Sequence, residues 1–478
     1  MSFKYQQLGQ QLIDQISRGE LPPGSALPAI RRLAQRHQVS IATANQTYQW
    51  LEQQGFVYAK PQSGFYVKHQ PSTRVFSPTS TAVVNVTTDR SDHILQVQQN
   101  ALYNDNIGLS SGFLAPSLRP IAGLQRALNR HMRRSHDQIH GYGHAQGEPC
   151  LRQVIAEHMR YHHASVDPEQ ILVTNGCLEA ITLAINTLTE TGDVIAVFSP
   201  CYSGLLTAIQ YAGRKIIEIP CGPNGPDFDV ITTLMKHRAC AALLLSATAT
   251  NPLGFTLSAQ QKQQLAKLAA EHQTWIIEDD TFGCLHYNDS HPSPVYAYEH
   301  DGYVVYCSSF SKELAPNLRI GWLASRKNIS GFCKRKLALN LTCAMPSQLA
   351  LADYLSQSSY KSYIKTLRAT LQTEMNQLQR AVANHFPKET RMSAPQGGFM
   401  LWVQLPEAFS GMELFHHAKE QGIIIMPGEI FTMTSLYKNC IRLSANQTWN
   451  TQREQAIAWI GGYLTQRAST GSVNGKQT

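Results

Sequence analysis

A lysine among small hydroxyl residues stands out in the segment SSFSKELAPNLRIGW, residues 308–322. Lys312 follows the apolar run YVVYCSS, which is typical of a buried strand, and it precedes Arg319. A lysine at the end of a strand can form a Schiff base with an aldehyde. The hydroxyls of Ser309 and Ser311 and the guanidinium of Arg319 suit a phosphate on the same ligand. The segment therefore predicts a site for a molecule that carries both groups.

Two further predicted strands end in residues that suit this ligand. NGCLEA opens a predicted helix at Gly176, and the free backbone N–H groups of Gly176, Cys177 and Leu178 favour a phosphate. Asp279 ends the run TWIIEDD, where its carboxylate suits a protonated ring nitrogen. An aldehyde, a phosphate and a basic ring nitrogen together describe pyridoxal 5'-phosphate (PLP), so we expect Lys312 to anchor PLP.

The elements that must position these residues alternate between apolar strands and amphipathic helices from about residue 170 onwards. ILVTNG precedes CLEAITLAINTL, VIAVFSP precedes YSGLLTAIQYAG, and CAALLLSA precedes SAQQKQQLAKLAAEH. This alternation predicts an α/β domain with a mainly parallel central sheet. Ligands of such sheets gather beyond the carboxyl ends of the strands, where Tyr202 and Asn251 also fall.

From about residue 105 to 465 the chain resembles the fold-type I PLP-dependent enzymes of the aspartate aminotransferase group. Five ordered motifs carry the resemblance: GYGHAQGEPCLR, SPCY, NPLG, SSFSKELAPNLRIGW and NCIRLS. It implies that Asn251 bonds the ring hydroxyl of PLP and that Tyr202 stacks on the pyridine. It also implies that Tyr142 reaches the phosphate in the neighbouring subunit and that Arg442 binds the carboxylate of a substrate or effector.

One position departs from that group. The segment EDDTFG has Phe282 where the group usually has a tyrosine whose phenol also bonds the ring hydroxyl, and Thr281 offers only a weak substitute. Loss of this donor shifts the pKa of the Schiff base and weakens proton transfer. The departure is compatible with a cofactor that is kept for sensing.

The first 70 residues have a different pattern and an excess of positive charge. Apolar residues recur at helical spacing on both sides of the turn LPPG, and the short runs FVYA and FYV flank KPQSG as a hairpin would. This region contains seven basic and three acidic side chains, so its net charge is +4, half of the net charge of +8 of the whole chain. Helices followed by a hairpin predict a winged helix-turn-helix, which inserts one helix into the major groove of DNA.

This region resembles the GntR-type winged helix of bacterial transcription regulators from GELPPG through SGFYV. The resemblance, together with side chains that leave the apolar face of the second motif helix, gives the DNA-binding candidates Arg31, Ser40, Thr43, Asn45, Gln46 and Gly64. Two positions depart from the family. Ala29 replaces a usual serine, and Ile41 stands where an arginine is common, which removes a DNA contact.

A GntR-type winged helix (the head) joined to an aminotransferase-like domain (the body) resembles the MocR subfamily of bacterial regulators. We expect a winged helix over 1–70, a flexible linker over 71–104, a PLP-binding body over 105–468 and a loose tail over 469–478. The resemblance implies a regulator that binds double-stranded DNA, forms a head-to-tail homodimer and senses an amino compound or PLP. Two alternatives stay open: an active aminotransferase with a DNA-binding head, and a body that binds PLP only to fold or dimerise.

The composition excludes several classes of protein. With 43% hydrophobic and 15% charged residues, the 478-residue chain has a globular composition, and the absence of a bilayer-length apolar run or a signal core predicts a cytoplasmic protein without a membrane partner. The ten cysteines occur singly and are expected to be reduced thiols. No metal site is expected, because the spacing of the clustered histidines fits no tetrahedral pattern. The histidines expected at the surface are His131, His136, His140, His144, His162 and His163.

Overall fold

The computed structural model describes residues 4–17, 20–22, 24–53, 56–60, 63–68, 82–84, 91–103, 105, 107–134, 141–222, 225–288 and 291–471. The helices are α1 (Lys4–Ser17), α2 (Ile30–Arg36), α3 (Ile41–Gln53), α4 (Ser91–Tyr103), α5 (Ile121–Arg134), α6 (Pro149–Tyr161), α7 (Cys177–Leu188), α8 (Ser203–Tyr211), α9 (Phe228–Lys236), α10 (Ala259–His272), α11 (Ile329–Asn340), α12 (Met345–Leu355), α13 (Ser358–His385), α14 (Gly411–Glu420) and α15 (Thr451–Gly471). The strands are β1 (Val57–Lys60), β2 (Gly64–Val67), β3 (Ala82–Val84), β4 (Ile171–Thr174), β5 (Val194–Ser199), β6 (Lys215–Gly222), β7 (Gly225–Pro226), β8 (Ala242–Leu245), β9 (Trp275–Asp279), β10 (Val304–Ser309), β11 (Gly321–Ser325), β12 (Arg391–Met392), β13 (Met400–Gln404), β14 (Met426–Pro427) and β15 (Cys440–Ser444).

The N-terminal unit is the predicted winged helix-turn-helix. Its helices bury their apolar stripes in one small core, in which Leu12, Leu33 and Tyr48 are almost completely buried. The strands β1 and β2 pair antiparallel with Val57 opposite Val67, and both valines face that core. Each strand buries only the valine at the end nearest the core, and this pair of buried residues fixes the register of the two-stranded wing.

The body is built on a large mixed sheet with the strand order β3-β6-β5-β8-β9-β10-β11-β4. The strands β6, β5, β8, β9 and β10 run parallel, whereas β11 is antiparallel to both of its neighbours. Apolar clusters cover both faces: within β4, Val173 packs into one cluster and Leu172 into the other. Burial on both faces explains why these strands read as continuous apolar runs, and the prediction of a mainly parallel α/β sheet is confirmed.

A second, antiparallel sheet with the order β12-β13-β15-β14 follows in the C-terminal part of the chain. Arg442 lies in β15 between Trp402 of β13 and Met426 of β14. Each of the five residues of β15 is buried. The arginine is therefore held on a rigid element rather than on a surface loop.

The expectation of a flexible linker over 71–104 is wrong for part of that range. The strand β3 pairs antiparallel with β6, and α4 buries Ile94, Val97 and Ala101 in the main core. These apolar residues recur at helical spacing, which is typical of an amphipathic helix. The polar composition of the surrounding segment led to the prediction of a linker instead. The rest of the expected linker, 71–81 and 85–90, lies outside the described residues. The helix α15 continues to Gly471, so the expected tail falls outside them from residue 472 onwards.

No helix in the described part of the chain is long and apolar enough to cross a membrane. All ten cysteines are free thiols.

Candidate functional site

A cavity of about 300 Å³ lies beyond the carboxyl ends of the parallel strands. Its wall includes most of the residues that the sequence singled out: Cys177, Leu178, Tyr202, Asn251, Asp279, Ser309, Ser311, Lys312 and Arg319. Gly176 adjoins the wall through Arg319, and Arg442 adjoins it through Asn251. The fold thus places a lysine, a carboxylate and two arginines around one small space, although the strand ends and helix starts that carry them are far apart in sequence.

Lys312 follows β10 and points into the cavity. Its Nζ donates a hydrogen bond to the Gly112 carbonyl oxygen at 2.7 Å and lies 5.8 Å from the centre of the Phe282 ring. Burial and the positive charge of Arg442 lower the pKa of Lys312 to about 8, although Asp279 acts in the opposite direction. The amine is therefore more often unprotonated near neutral pH than that of an exposed lysine, and an unprotonated amine is the nucleophile that a carbonyl requires.

Asp279 ends β9 and is held by three donors. The backbone N–H and the hydroxyl of Thr281 and the thiol of Cys177 all contact Oδ1, the N–H at 3.0 Å and the thiol sulfur at 3.6 Å. Burial raises the pKa of the Asp279 carboxyl. Within the described part of the chain these donors all share Oδ1, so Oδ2 is available to a partner in the cavity, where a cationic ring nitrogen would stabilise the carboxylate.

The Thr281 hydroxyl is engaged with Asp279 and does not stand in for the missing tyrosine phenol. Phe282, which occupies that place in the sequence, lines the cavity with an apolar ring and is buried against Phe399. The departure noted in the sequence therefore removes a hydroxyl donor from this part of the wall.

A helix start and a guanidinium meet at Gly176. This glycine has φ +88° and precedes α7, which has no side-chain cap at its N-terminus. Any side chain at position 176 would collide with the guanidinium of Arg319, which donates from Nη2 to the Asn175 carbonyl oxygen at 2.7 Å. Ser309 and Ser311 line the same wall. Free N–H groups at a helix N-terminus beside a cation form a suitable place for a phosphate.

Arg442 contributes a second cation. Its Nη1 donates to Asn251 Oδ1 at 3.2 Å, and its Nη2 donates to the Ser110 carbonyl oxygen at 2.7 Å. Burial lowers the pKa of Arg442 to about 10, and the Nε atom is buried without a hydrogen-bond partner among the described residues. Tyr202 stands nearby at the start of α8, and burial raises its pKa. A buried cation with an unused donor suits a carboxylate ligand.

Sequence reasoning missed the loop that closes the site. Asp105 accepts hydrogen bonds from the backbone N–H groups of Ser110 and Ser111, and this arrangement presents the carbonyl oxygens of Ser110 and Gly112 to Arg442 and Lys312. Phe113 then enters the cavity wall. The segment IGLSSGF contains small and apolar residues, and nothing in their types signals a role in the site.

Tyr142 is 85% exposed and does not line the cavity within one chain. Its expected role at the site of a neighbouring subunit stays a prediction.

The predicted DNA-binding residues lie on the winged helix as follows. Arg31 is exposed on α2, and Gln46 is exposed on α3, where Asn45 is half-buried. Ser40 caps α3: its Oγ accepts from the Thr43 N–H at 3.0 Å and lies 2.8 Å from the Thr43 hydroxyl. Ser40 and Thr43 therefore cap the N-terminus of α3 in addition to being candidates for DNA contacts.

The wing carries an aromatic feature that the sequence reasoning missed. Gly64 begins β2 with φ +99°, a backbone conformation that favours glycine at this turn. Beside it, the rings of Tyr58 and Tyr66 stack with their centres 5.8 Å apart, and Lys60 Nζ lies 5.7 Å from the Tyr66 ring. Alternate residues of a strand share a face, so Tyr58 and Lys60 could have been paired from the sequence.

Comparison with known proteins agrees with both parts of the fold. The family model for aminotransferase class I and II matches residues 104–460, and that for bacterial regulatory proteins of the gntR family matches residues 4–67. The HTH-type transcriptional regulator YdcR of Escherichia coli K12 is 32% identical over 97% of this chain and 99% of its own length. YjiR of the same organism is 30% identical over 96% of this chain and 98% of its own. This chain belongs to the GntR-type transcriptional regulators that carry an aminotransferase-like domain, the MocR-type architecture.

Two solved aminotransferase structures illustrate the similarity of the body to known folds. LysN, an α-aminoadipate aminotransferase from Thermus thermophilus, superposes with a TM-score of 0.74 at 23% identity and covers 80% of this chain and 98% of its own. An archaeal alanine:glyoxylate aminotransferase gives a TM-score of 0.72 at 24% identity, with 78% of this chain and 95% of its own covered. At these identities the similarity establishes the fold. The regulator is a DNA-binding protein whose second domain belongs to a PLP-dependent family.

The residues of this chain fit PLP. The Lys312 amine suits the aldehyde of the cofactor, and Asp279, with one oxygen unused among the described residues, suits the ring nitrogen. The Arg319 guanidinium beside an uncapped helix start suits the phosphate. The Thr250 hydroxyl, which also lines the cavity, is buried without a partner among the described residues.

Proposed function

We propose that the aminotransferase-like domain is the sensor of this regulator and that an amino compound carrying a carboxylate, or PLP itself, is its signal. In this proposal Lys312 anchors PLP, Asp279 holds the ring nitrogen, Asn251 faces the ring hydroxyl and Tyr202 packs on the ring. The helix start at Gly176–Leu178 takes the phosphate. The serines and arginine of the 308–322 segment, Ser309, Ser311 and Arg319, complete the phosphate site.

Two observations carry the proposal: the Lys312 amine lines the cavity, and Arg442, whose Nε has no hydrogen-bond partner among the described residues, is close enough to lower the pKa of Lys312. Bound PLP supplies an electrophilic carbon that amines compete for. A signal amine that displaces Lys312 would return its Nζ to the Gly112 carbonyl, while Arg442 holds the carboxylate of the signal. Lys312 thus has two alternative partners, and a ligand that favours one of them shifts the equilibrium between two states of the domain.

On the DNA side, we propose that the exposed residues of α2, α3 and the wing contact double-stranded DNA. A head-to-tail homodimer in the cytoplasm would present two winged helices to paired half-sites. The basic excess of residues 1–70 supports this surface, because phosphate contacts supply much of the affinity for DNA.

The test compares DNA binding by the wild type and by Lys312→Ala. A sequence selected from random DNA by the full-length protein serves as the probe, and binding is measured by fluorescence anisotropy with and without PLP and a panel of amino acids. We expect PLP or one amino acid to change the affinity of the wild type and to have no effect on Lys312→Ala. Lys334→Ala, which alters an exposed lysine of α11, is the matched control and should respond like the wild type.

Identical DNA affinity of wild type and Lys312→Ala under all these conditions would contradict sensing at this site. The aminotransferase alternative has its own readout. If an amino acid and a 2-oxo acid are interconverted with many turnovers, catalysis is retained, since Lys312, Asp279 and Arg442 are all present. We expect at most slow turnover, because Phe282 and the engaged Thr281 hydroxyl leave a donor missing.

A further inference from the structure

A buried group of histidines and a cysteine lies on the other side of the Lys312 loop. Of the six histidines expected at the surface, His144 and His163 are exposed and His131 is half-buried, whereas His136 and His140 lie outside the described residues. His162 corrects the expectation, because it is only 4% exposed. The preceding turn of its helix and a distant loop bring further ligand-type atoms to it.

The cluster consists of His158, His162 and Cys284. Cys284 Sγ lies 3.3 Å from His158 Nε2 and 3.4 Å from His162 Nε2, and one nitrogen of each histidine lies with the sulfur in a group whose members are all within 4.8 Å of one another. The two histidines are four residues apart at the end of α6 and therefore share one face of it. Cys284 belongs to the short helix Gly283–Leu285.

The two sulfur–nitrogen distances match those between neighbouring ligands of a tetrahedral metal site. Bonds of about 2.0 Å to imidazole nitrogen and about 2.3 Å to thiolate sulfur place the two ligand atoms roughly 3.5 Å apart at a tetrahedral angle. Without an ion, the thiol can donate to one imidazole and accept an N–H from the other, so the metal-free cluster already has the geometry that an ion requires. We propose that His158, His162 and Cys284 bind one zinc-like transition-metal ion and leave its fourth position open.

The cluster lies in the interior of the aminotransferase-like domain. His162 is 4% exposed, and the rings of His158 and His162 meet in a T-shaped arrangement with 4.5 Å between their centres. Side chains that are already packed together lose little conformational entropy when they bind an ion.

An ion can reach the cluster from outside. His158, His162 and Cys284 line a cavity of about 1000 Å³ between α6 and α13. The thiol proton leaves to solvent as the thiolate binds the metal, since a metal ligand must be deprotonated. Imidazole and thiolate together favour zinc, cobalt or copper over magnesium or calcium.

The cluster is connected to the cofactor cavity through the 308–322 segment. The ring of Phe310 packs against His158 with 5.4 Å between the centres, and Glu313, the neighbour of Lys312, accepts a hydrogen bond from Tyr360 at 3.0 Å. The metal site is nevertheless separate from the PLP site, because none of its three ligands lines the smaller cavity. Its existence can be tested without reference to sensing.

The experiment titrates untagged full-length protein, stripped by a chelator and desalted, with Co²⁺ and follows the absorption as a difference against the metal-free sample. We expect one equivalent to produce tetrahedral cobalt bands and a thiolate-to-cobalt charge-transfer band, and Zn²⁺ to displace the cobalt. Cys284→Ser should abolish the charge-transfer band and weaken binding at least tenfold. Cys333→Ser, which removes a half-buried thiol outside the cluster, should leave both unchanged.

His158→Gln and His162→Gln provide a second line of evidence if Cys284→Ser fails to fold by circular dichroism. Each keeps the thiol and removes one nitrogen, so each should weaken cobalt binding at least tenfold. Absence of a charge-transfer band in the wild type would overturn the proposal and leave a hydrogen-bonded thiol–imidazole cluster. Binding that persists at full affinity in all three variants would also overturn it and assign the ion to an adventitious surface site.

Discussion

At the scale of single residues, Lys312 owes its reactivity to its neighbours. The same side chain on the surface would be almost fully protonated at neutral pH, because the usual lysine pKa is near 10.4. Burial and Arg442 favour the neutral amine, while Asp279 favours the charged form. The balance of these effects, rather than the lysine alone, decides how readily an aldehyde reacts here.

This balance predicts the pH dependence of PLP association. The rate should rise with pH, because attack requires the neutral amine, and should level off above the Lys312 pKa of about 8. Arg442→Gln removes a positive charge that lowers this pKa, so its midpoint should move to higher pH. Stopped-flow absorbance after mixing protein with PLP, without any amine, measures both profiles. Arg326→Gln, outside the cavity wall, should keep the wild-type midpoint; equal midpoints for wild type and Arg442→Gln would contradict the assignment.

At the scale of elements, the start of α7 combines two demands on one glycine. Gly176 must adopt a positive φ and must also leave room for the Arg319 guanidinium. Gly192, in the turn before β5, has the similar φ of +92°, but no atom of the described residues lies within 4 Å of the place where a side chain would begin. A substitution at Gly192 therefore tests backbone strain alone, whereas the same substitution at Gly176 adds a steric clash with Arg319.

Gly176→Ala should therefore lower stability by about 1–3 kcal/mol and also weaken PLP binding roughly tenfold, because the displaced Arg319 no longer faces the helix start. Gly192→Ala should lower stability through backbone strain while leaving PLP affinity unchanged. Thermal unfolding measured by differential scanning calorimetry and PLP titration by fluorescence give the two quantities. Equal PLP affinities for the two variants would show that the helix start does not hold the phosphate.

A substitution in the recognition helix α3 is expected to strengthen DNA binding. Ile41, at its first turn, is 57% exposed, which is unusual for a β-branched apolar side chain and matches its place where related winged helices have arginine. Ile41→Arg should tighten DNA binding and steepen the dependence of log affinity on log salt concentration by about 1, the effect of one added phosphate contact. Ile41→Gln, polar but uncharged, should leave the salt slope unchanged. An unchanged slope for Ile41→Arg would place this end of α3 away from the DNA backbone.

Regular elements and ordered motifs were accessible from the sequence because they leave periodic or local signals. The parallel strands appear as apolar runs, and the cavity residues stand at the ends of those runs. The helix α4 was missed because its few apolar residues are diluted by polar ones, and the loop before Phe113 because its contacts are made by backbone carbonyls. The His158–His162–Cys284 cluster was missed because 122 residues separate His162 from Cys284, and chain folding alone brings them together.

At the scale of the whole molecule, the proposed dimer makes a prediction about where each site obtains its parts. Tyr142 is 85% exposed in one chain and is not part of the cavity wall, which fits a side chain that acts on the site of the neighbouring subunit. If so, Tyr142→Phe should weaken PLP binding while the protein still sediments as a dimer. The location of the hydroxyl can then be decided by mixing variants.

In a hybrid of a Lys312→Ala subunit with a Tyr142→Phe subunit, action across the interface creates one complete site, since the second subunit has its own Lys312 and receives Tyr142 from the first. Action within one chain creates none. The reciprocal hybrid, a doubly substituted subunit with a wild-type one, reverses these outcomes: action across the interface leaves the remaining lysine facing Phe, whereas action within the chain leaves one complete site. PLP titration of purified hybrids therefore distinguishes the two arrangements by opposite results. High-affinity binding in the reciprocal hybrid alone would exclude a shared site and, with it, the reason for proposing head-to-tail pairing.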